Sequence, residues 1–385
     1  MTTATLRGFP ITLQRQSMSG AGRGLLAITG ILVLFGLLSV YSASSYVAES
    51  HGYLDSHYLF QQLRRAAVGF GLLALLSVFD YTALRAAAWP LLALSVLLLI
   101  PLILPGTEAI APRINGARRW LHVGMTFQPS ELAKIAMVVW TASLAVKKQD
   151  KLRNFRKGLL PFLVVIGLVC LLILMEPHFS AMLMIATVTG VILFSAGARI
   201  GHFVLLGSLG LPLVLGQVLG ASYRWNRVMA FLNPEVTAST GGYQLRQSLI
   251  AVGSGGWFGV GYGQSSQKMA YLPEPQNDFI FSIIAEEWGF IGAGLLITLY
   301  FGWALLALRV ADSAPDLFGR LLATGFGALV FVAAFAHIGV TLGLLPTTGV
   351  NLPFMSAGGT NLVMMLGATG VLLNISRSRR RRRRA

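Results

Sequence analysis

The chain carries fourteen acidic residues among 385, few enough to weigh one by one. Asp150, Asp312 and Asp316 stand in short stretches with Lys or Arg nearby, and Glu49, Asp55, Glu108 and Glu235 in polar connections, so these read as solvated. Asp80 reads as interfacial. The other six, Glu131, Glu176, Glu274, Asp278, Glu286 and Glu287, lie within or at the edges of apolar runs, where an unpaired charge is costly. Glu131 and Lys134 are three residues apart, so on a helix they share a face and neutralise each other, as a structural pair or as the lining of a cleft. Asp278 follows Leu272-Pro273-Glu274-Pro275-Gln276-Asn277, where a proline-stiffened loop becomes an apolar run. It is placed to cap the next helix or to serve as a general base.

Cations gather in the same stretches. Arg118, Arg119 and Trp120 precede Gln128-Pro129-Ser130-Glu131, which reads as a helix start with Ser130 as its cap. Paired guanidiniums beside a helix N-terminus suit a pyrophosphate. A second group, Arg224, Arg227, Arg246 and Lys268, shares a long connection with Gly253-Ser254-Gly255-Gly256 and with Gly259, Gly261 and Gly263. Glycine at that density lets the backbone lie close to a ligand or another segment. The expected catalytic set is Asp278, Lys134 and Glu131, and the expected substrate-binding set is Arg118, Arg119, Trp120, Arg224, Arg246, Lys268 and Glu274. No metal-ligand cluster of recognised spacing and no cofactor motif is visible, so a divalent cation enters only as an optional partner for the anion. The single cysteine, Cys170, sits in an apolar run and reads as packing.

The elements that position these residues are transmembrane helices. With 55% hydrophobic and 11% charged residues the composition excludes a water-facing globule, since soluble domains hold about 25% charged residues. The net charge of +16 comes from clusters between apolar runs and from a terminal Arg block, which reads as an anchor at anionic headgroups and not as a nucleic-acid site. Apolar runs at about 24–47, 63–79, 86–104, 130–146, 158–175, 179–197, 200–220, 280–308, 320–344 and 359–376 predict an all-α polytopic membrane protein of about ten spans. The first run is too long for a cleavable signal and reads as a retained helix. Residues 1–23 form an N-terminal arm, 24–376 the membrane domain and 377–385 a basic tail. Lys and Arg divide about two to one in favour of the side holding both termini, which makes that side cytoplasmic. Connections of about 105–129 and 221–279 are then external, the second between helices 7 and 8 and long enough to carry function.

Four separated segments, 115–134 (NGARRWLHVGMTFQPSELAK), 242–263 (GYQLRQSLIAVGSGGWFGVGYG), 272–289 (LPEPQNDFIFSIIAEEWG) and 345–359 (LPTTGVNLPFMSAGG), resemble the SEDS family of shape, elongation, division and sporulation proteins. Ser266-Gln267-Lys268 and Leu352-Pro353-Phe354 are more similar to its division-type members than to its elongation-type members. The resemblance implies a peptidoglycan glycosyltransferase of the bacterial cytoplasmic membrane that polymerises lipid II on the outer face during division. It implies a class B penicillin-binding transpeptidase and other divisome proteins as partners. It also implies that Asp278 matches the essential loop aspartate, and that Trp120, Glu131 and Lys134 match further functional positions. A lipid II flippase, kept open by Glu286 and Glu287, and a non-catalytic division scaffold are the alternatives. The sequence departs from the family pattern at Pro177-His178-Phe179-Ser180-Ala181, where Pro-Asp-Phe-Gly-Thr is usual, at Gln276-Asn277 for His-Thr, and at Ala357 for Tyr. Gly325, Gly327 and Gly339 are expected to open a lipid-facing groove for the partner's helix.

Overall fold

A computed structural model describes residues 3–6, 9–12, 18–114, 116–123, 125–220, 222–232 and 242–378. Asn115, Glu235 and the arginines at 379–384 lie outside the described residues. Two short antiparallel hairpins, β1 (Thr3–Leu6) with β2 (Phe9–Thr12) and β3 (Leu121–Val123) with β4 (Met125–Phe127), are the described exceptions to an all-helical chain. The helices are α1 (Gly20–Ser50), α2 (His57–Val78), α3 (Ala83–Ile103), α4 (Pro129–Lys147), α5 (Leu160–Met175) and α6 (Phe179–Ser195). They continue as α7 (Ile200–Leu219), α8 (Ser222–Leu232), α9 (Tyr243–Ser254), α10 (Ile280–Ser313), α11 (Leu317–Thr341) and α12 (Gly359–Arg377).

Each of the ten expected apolar runs is a helix. Among the described residues eight helices are long and apolar enough to cross a bilayer. The other two are α6, of 17 residues, and α2, whose first turns carry Gln61, Gln62, Arg64 and Arg65. The bundle centre is formed by α4, α11 and α12, which are buried along most of their length, with α3, α5 and α7 more exposed around them. Small residues set the close approaches: a Cβ at Gly370 would lie 2.6 Å from the Leu73 carbonyl of α2. One at Gly325 would meet Ile192 and Val138 at 2.7 Å. Gly325, Gly327 and Gly339 are all buried against neighbouring elements, so the expected lipid-facing groove is not made by them. Ser130 is likewise not the cap of α4. Gln128 holds the cap position, Pro129 is the first helical residue, and the Ser130 hydroxyl lies 3.3 Å from His178 Nδ1.

The connection after α7 is not a plain loop. It folds into α8, α9 and a glycine strap over 255–263 that lies against a break in α10. At Gly289 (φ 65°, ψ −166°) the helix adopts a conformation that essentially only glycine tolerates. The strap replaces the interrupted helical hydrogen bonds: Val260 N–H donates to the Glu286 carbonyl at 3.0 Å and Gly261 N–H to Glu287 at 3.1 Å. Phe290 and Ile291 N–H donate back to Gly256 and Trp257 at 2.8 and 3.2 Å. There is no room for side chains, because a Cβ at Gly255 or Gly259 would lie 2.0 or 2.1 Å from a carbonyl of α10.

Candidate functional site

The N-terminal ends of α2, α4, α6, α10 and α12 hold the connections that carry the expected chemistry. Asp278 ends a tight turn in which the Asn277 and Asp278 N–H groups both donate to the Glu274 carbonyl at 3.1 Å. Glu274 has φ 51°, and its carboxylate accepts from Asn277 Nδ2 at 2.8 Å. The 342–358 connection grips this turn from the other side: Ala357 N–H donates to the Gln276 carbonyl at 3.0 Å and Ser356 Oγ to the Asn277 carbonyl at 2.8 Å. The cap position of α10 is Phe279, with no side-chain capping bond, so Asp278 does not cap the helix.

Asp278 is half-buried, and a Cβ at Gly349 would sit 3.5 Å from its Oδ2. Burial raises its pKa, Glu274 adds to the rise, and Arg227 and Arg119 oppose it; the net result is pushed up to about 6. The two cations therefore offset part of the rise that burial and Glu274 impose on this acid. Arg227 Nη1 donates to the Thr347 carbonyl at 2.9 Å. Arg119 donates through Nε to the Glu176 carbonyl at 3.4 Å and through Nη2 to that of Pro177.

Below Gly349 a small recess is lined by Gln128, Glu131, Lys134, His178 and Asn351. Lys134 Nζ stands 2.7 Å from Glu131 Oε1, and Asn361 Nδ2 donates to the second Glu131 oxygen at 2.9 Å. Burial, Arg119 and Lys134 push His178 down to about 3, so it faces the recess as a neutral imidazole. Burial pushes Glu176 up to about 9, and neither of its carboxyl oxygens has a hydrogen-bond partner among the described residues. Where the family usually has an acid, this chain thus offers a neutral histidine beside a protonated glutamic acid.

Of the expected residues, Glu131 and Lys134 line this recess and Asp278 lies next to its Gly349, with Glu274 and Arg119 within electrostatic reach of Asp278. Arg118 turns away to Glu108 and the Leu104 carbonyl. Trp120 is half-exposed after the 114–117 turn, and Arg246 is exposed on α9. Arg224 binds Gln217 and lies over the Phe179 ring at 5.4 Å. Lys268 is buried, 3.5 Å from Glu287 Oε1 and bonded to Ser42 and the Gly263 carbonyl. Glu286 accepts from Ser265 Oγ and from Ser266 N–H and Oγ. These acids and Lys268 fasten the strap to α10. Arg227, His178, Asn361 and Ser356 join the site without having been singled out for it. Only Arg227 carried a signal, as a cation three residues after Arg224 in the same connection. Among the described residues no group of three His, Cys, Asp or Glu side chains could hold a metal ion.

The family profile of the FtsW, RodA and SpoVE cell cycle proteins matches residues 23–381. The chain is 42% identical over 354 residues to the probable peptidoglycan glycosyltransferase FtsW of Trichlorobacter lovleyi, covering 91% of this chain and 92% of that protein. It is 40% identical over 356 residues to stage V sporulation protein E of Bacillus subtilis, covering 92% and 96%. In three dimensions it superposes with a TM-score of 0.76, at 28% identity and over 93% and 98% of the two chains, on a chain from work on the structural coordination of polymerization and crosslinking by a peptidoglycan synthase complex. It matches the rod shape determining protein RodA of Thermus thermophilus with a TM-score of 0.65, at 26% identity and over 92% and 96% of the two chains. This multi-pass membrane chain belongs to the FtsW/RodA/SpoVE family of cell cycle proteins.

Proposed function

We propose that this chain is a peptidoglycan glycosyltransferase that polymerises lipid II, with Asp278 as general base and Arg119, Arg227 and Lys134 as the cations that receive the pyrophosphate. The observation that carries the reading is the placement of one desolvated, still ionisable carboxylate between two guanidiniums, beside a recess that holds a third cation. Asp278 takes the proton of the acceptor sugar's 4-hydroxyl as that oxygen bonds to the donor's anomeric carbon. The carbon–oxygen bond to the lipid pyrophosphate breaks, and its electron pair leaves on the phosphate oxygen, where preorganised cations stabilise it. A pyrophosphate leaves without protonation, so a second catalytic carboxylate of the glycosidase kind is not required.

The distribution of basic residues supports an orientation with both termini cytoplasmic and the site on the outer face of a bacterial cytoplasmic membrane. The names of the relatives and the solved complex support a role in septal wall synthesis beside a class B penicillin-binding transpeptidase and other divisome proteins. With the glycines buried, a partner's single helix would pack on exposed apolar side chains of these spans, such as Phe301 on α10 and Phe331 and Phe335 on α11. The flippase alternative rested on Glu286 and Glu287, and both carboxylates are bound within the protein, the first by Ser265 and Ser266 and the second by Ser42 and Lys268. Purified protein with its transpeptidase, given lipid II in detergent, tests the reading: glycan strands are expected, and translocation in vesicles without any strand formation would favour the flippase.

A further inference from the structure

Outside the recess, the first turns of α2 and the preceding turn enclose an open pocket of about 380 Å³, lined by Tyr53, Leu54, His57, Phe60 and Arg64. Its volume falls within the usual range for ligand sites, about 300–1,000 Å³. Tyr53 and His57 stack face to face, 4.3 Å apart at 12°, and His57 meets Tyr58 edge-on at 5.3 Å. Gln61 Nε2 lies 2.9 Å from His57 Nε2, a hydrogen bond that fixes the orientation of the ring. Tyr53 is half-exposed and Arg64 is exposed.

The file of rings leads to the catalytic turn. Tyr58 lies within electrostatic reach of Glu274. One turn along α2, Gln62 Nε2 donates to the Ser356 carbonyl at 3.0 Å, and Ser356 in turn holds Asn277. Resting on the function proposed above, we infer that this pocket is a second saccharide site, which holds the glycan strand as it leaves Asp278. Pyranose rings present C–H faces that stack on exposed aromatic rings, and their hydroxyls bond to groups such as a histidine ring nitrogen and the guanidinium of Arg64. Arg64 supplies the cation for the acidic stem peptides of such a strand. An aromatic belt that only anchors α2 at the lipid interface would need neither the stacked His57 nor its lock to Gln61.

The test is binding of soluble, lipid-free glycan fragments to the purified full chain in detergent, followed by calorimetry, for wild type, Tyr53→Ala, Arg64→Ala and Asp278→Asn. Wild type and Asp278→Asn are expected to bind alike, and Tyr53→Ala and Arg64→Ala about tenfold more weakly, with unchanged melting temperatures. In lipid II assays the same two variants are expected to form the first glycosidic bond at the wild-type rate while releasing shorter strands. Equal fragment affinity in Tyr53→Ala, or loss confined to Asp278→Asn, overturns the second site. Because fragment binding requires no catalysis, a chain that binds fragments and forms no strands would defeat the proposed function and leave this site standing.

Discussion

The Lys134 ammonium and the Glu131 carboxylate, one turn apart on α4, form a 2.7 Å ion pair that is almost wholly buried, with side-chain exposures of 5% and 4%. Breaking a buried pair from one side strands a charge, at a cost of about 3–5 kcal/mol. Lys134→Met is therefore expected to lower the melting temperature sharply, and Glu131→Gln with Lys134→Met to recover part of the loss. Thermal unfolding of wild type and the two variants in detergent checks this. Equal melting temperatures for wild type and Lys134→Met would place the pair in water.

Ser356 ties Leu352 and Asn277 together, accepting from the first at 2.9 Å and donating to the carbonyl of the second at 2.8 Å. Ser356→Ala frees the turn that aims Asp278, so kcat is expected to fall by about tenfold, equivalent to about 1.4 kcal/mol, with little change in KM. Steady-state kinetics separates this from a binding defect, in which KM alone would rise.

The strap admits no Cβ at Gly255, Gly259 or Gly289, where the nearest backbone atom would lie at 2.0, 2.1 and 2.3 Å. Each change to alanine is expected to abolish detergent-stable protein, whereas Gly253→Ala, which meets nothing within 4 Å, is expected to be neutral or to stabilise α9 by up to about 1 kcal/mol. Yield of monodisperse protein after size exclusion distinguishes the two groups.

Asp278 is raised from 3.8 to about 6, and the sign of that shift has two consequences. The folded protein holds this proton more tightly than the unfolded chain, so the acid's contribution to stability is lost as pH rises through the window from about 4 to 6. Asp278→Asn is then expected to raise the melting temperature at pH 7 while its effect fades near pH 4. The rate of polymerisation should fall about tenfold for each pH unit below about 6, because only the ionised form accepts a proton. A flat rate from pH 7 to pH 5 would contradict the assignment.

The spans were readable because a bilayer demands long apolar runs, and nothing else in the chain satisfies that demand. The Glu131–Lys134 pair was readable from spacing alone. The place of Lys268 was not: amid glycines and arginines it reads as a substrate-binding cation, whereas it is buried against Glu287, next to the break at Gly289, 21 positions away. The strap has the same origin, since its hydrogen-bond partners belong to a helix whose interruption is a tertiary event. The helix α8 that carries Arg224 and Arg227 was not readable either, because its 11 residues are too short and too polar to register as a span.

The central claim is that Asp278 removes the acceptor proton, and the most direct measurement is single-turnover formation of the first glycosidic bond by purified Asp278→Asn protein with its partner. Asparagine keeps the size and most hydrogen bonds of the side chain while removing its basicity. The expected result is a folded, partner-bound protein whose rate is reduced by about 100-fold or more. A rate within about threefold of wild type, far short of the usual loss of a general base, would contradict the mechanism.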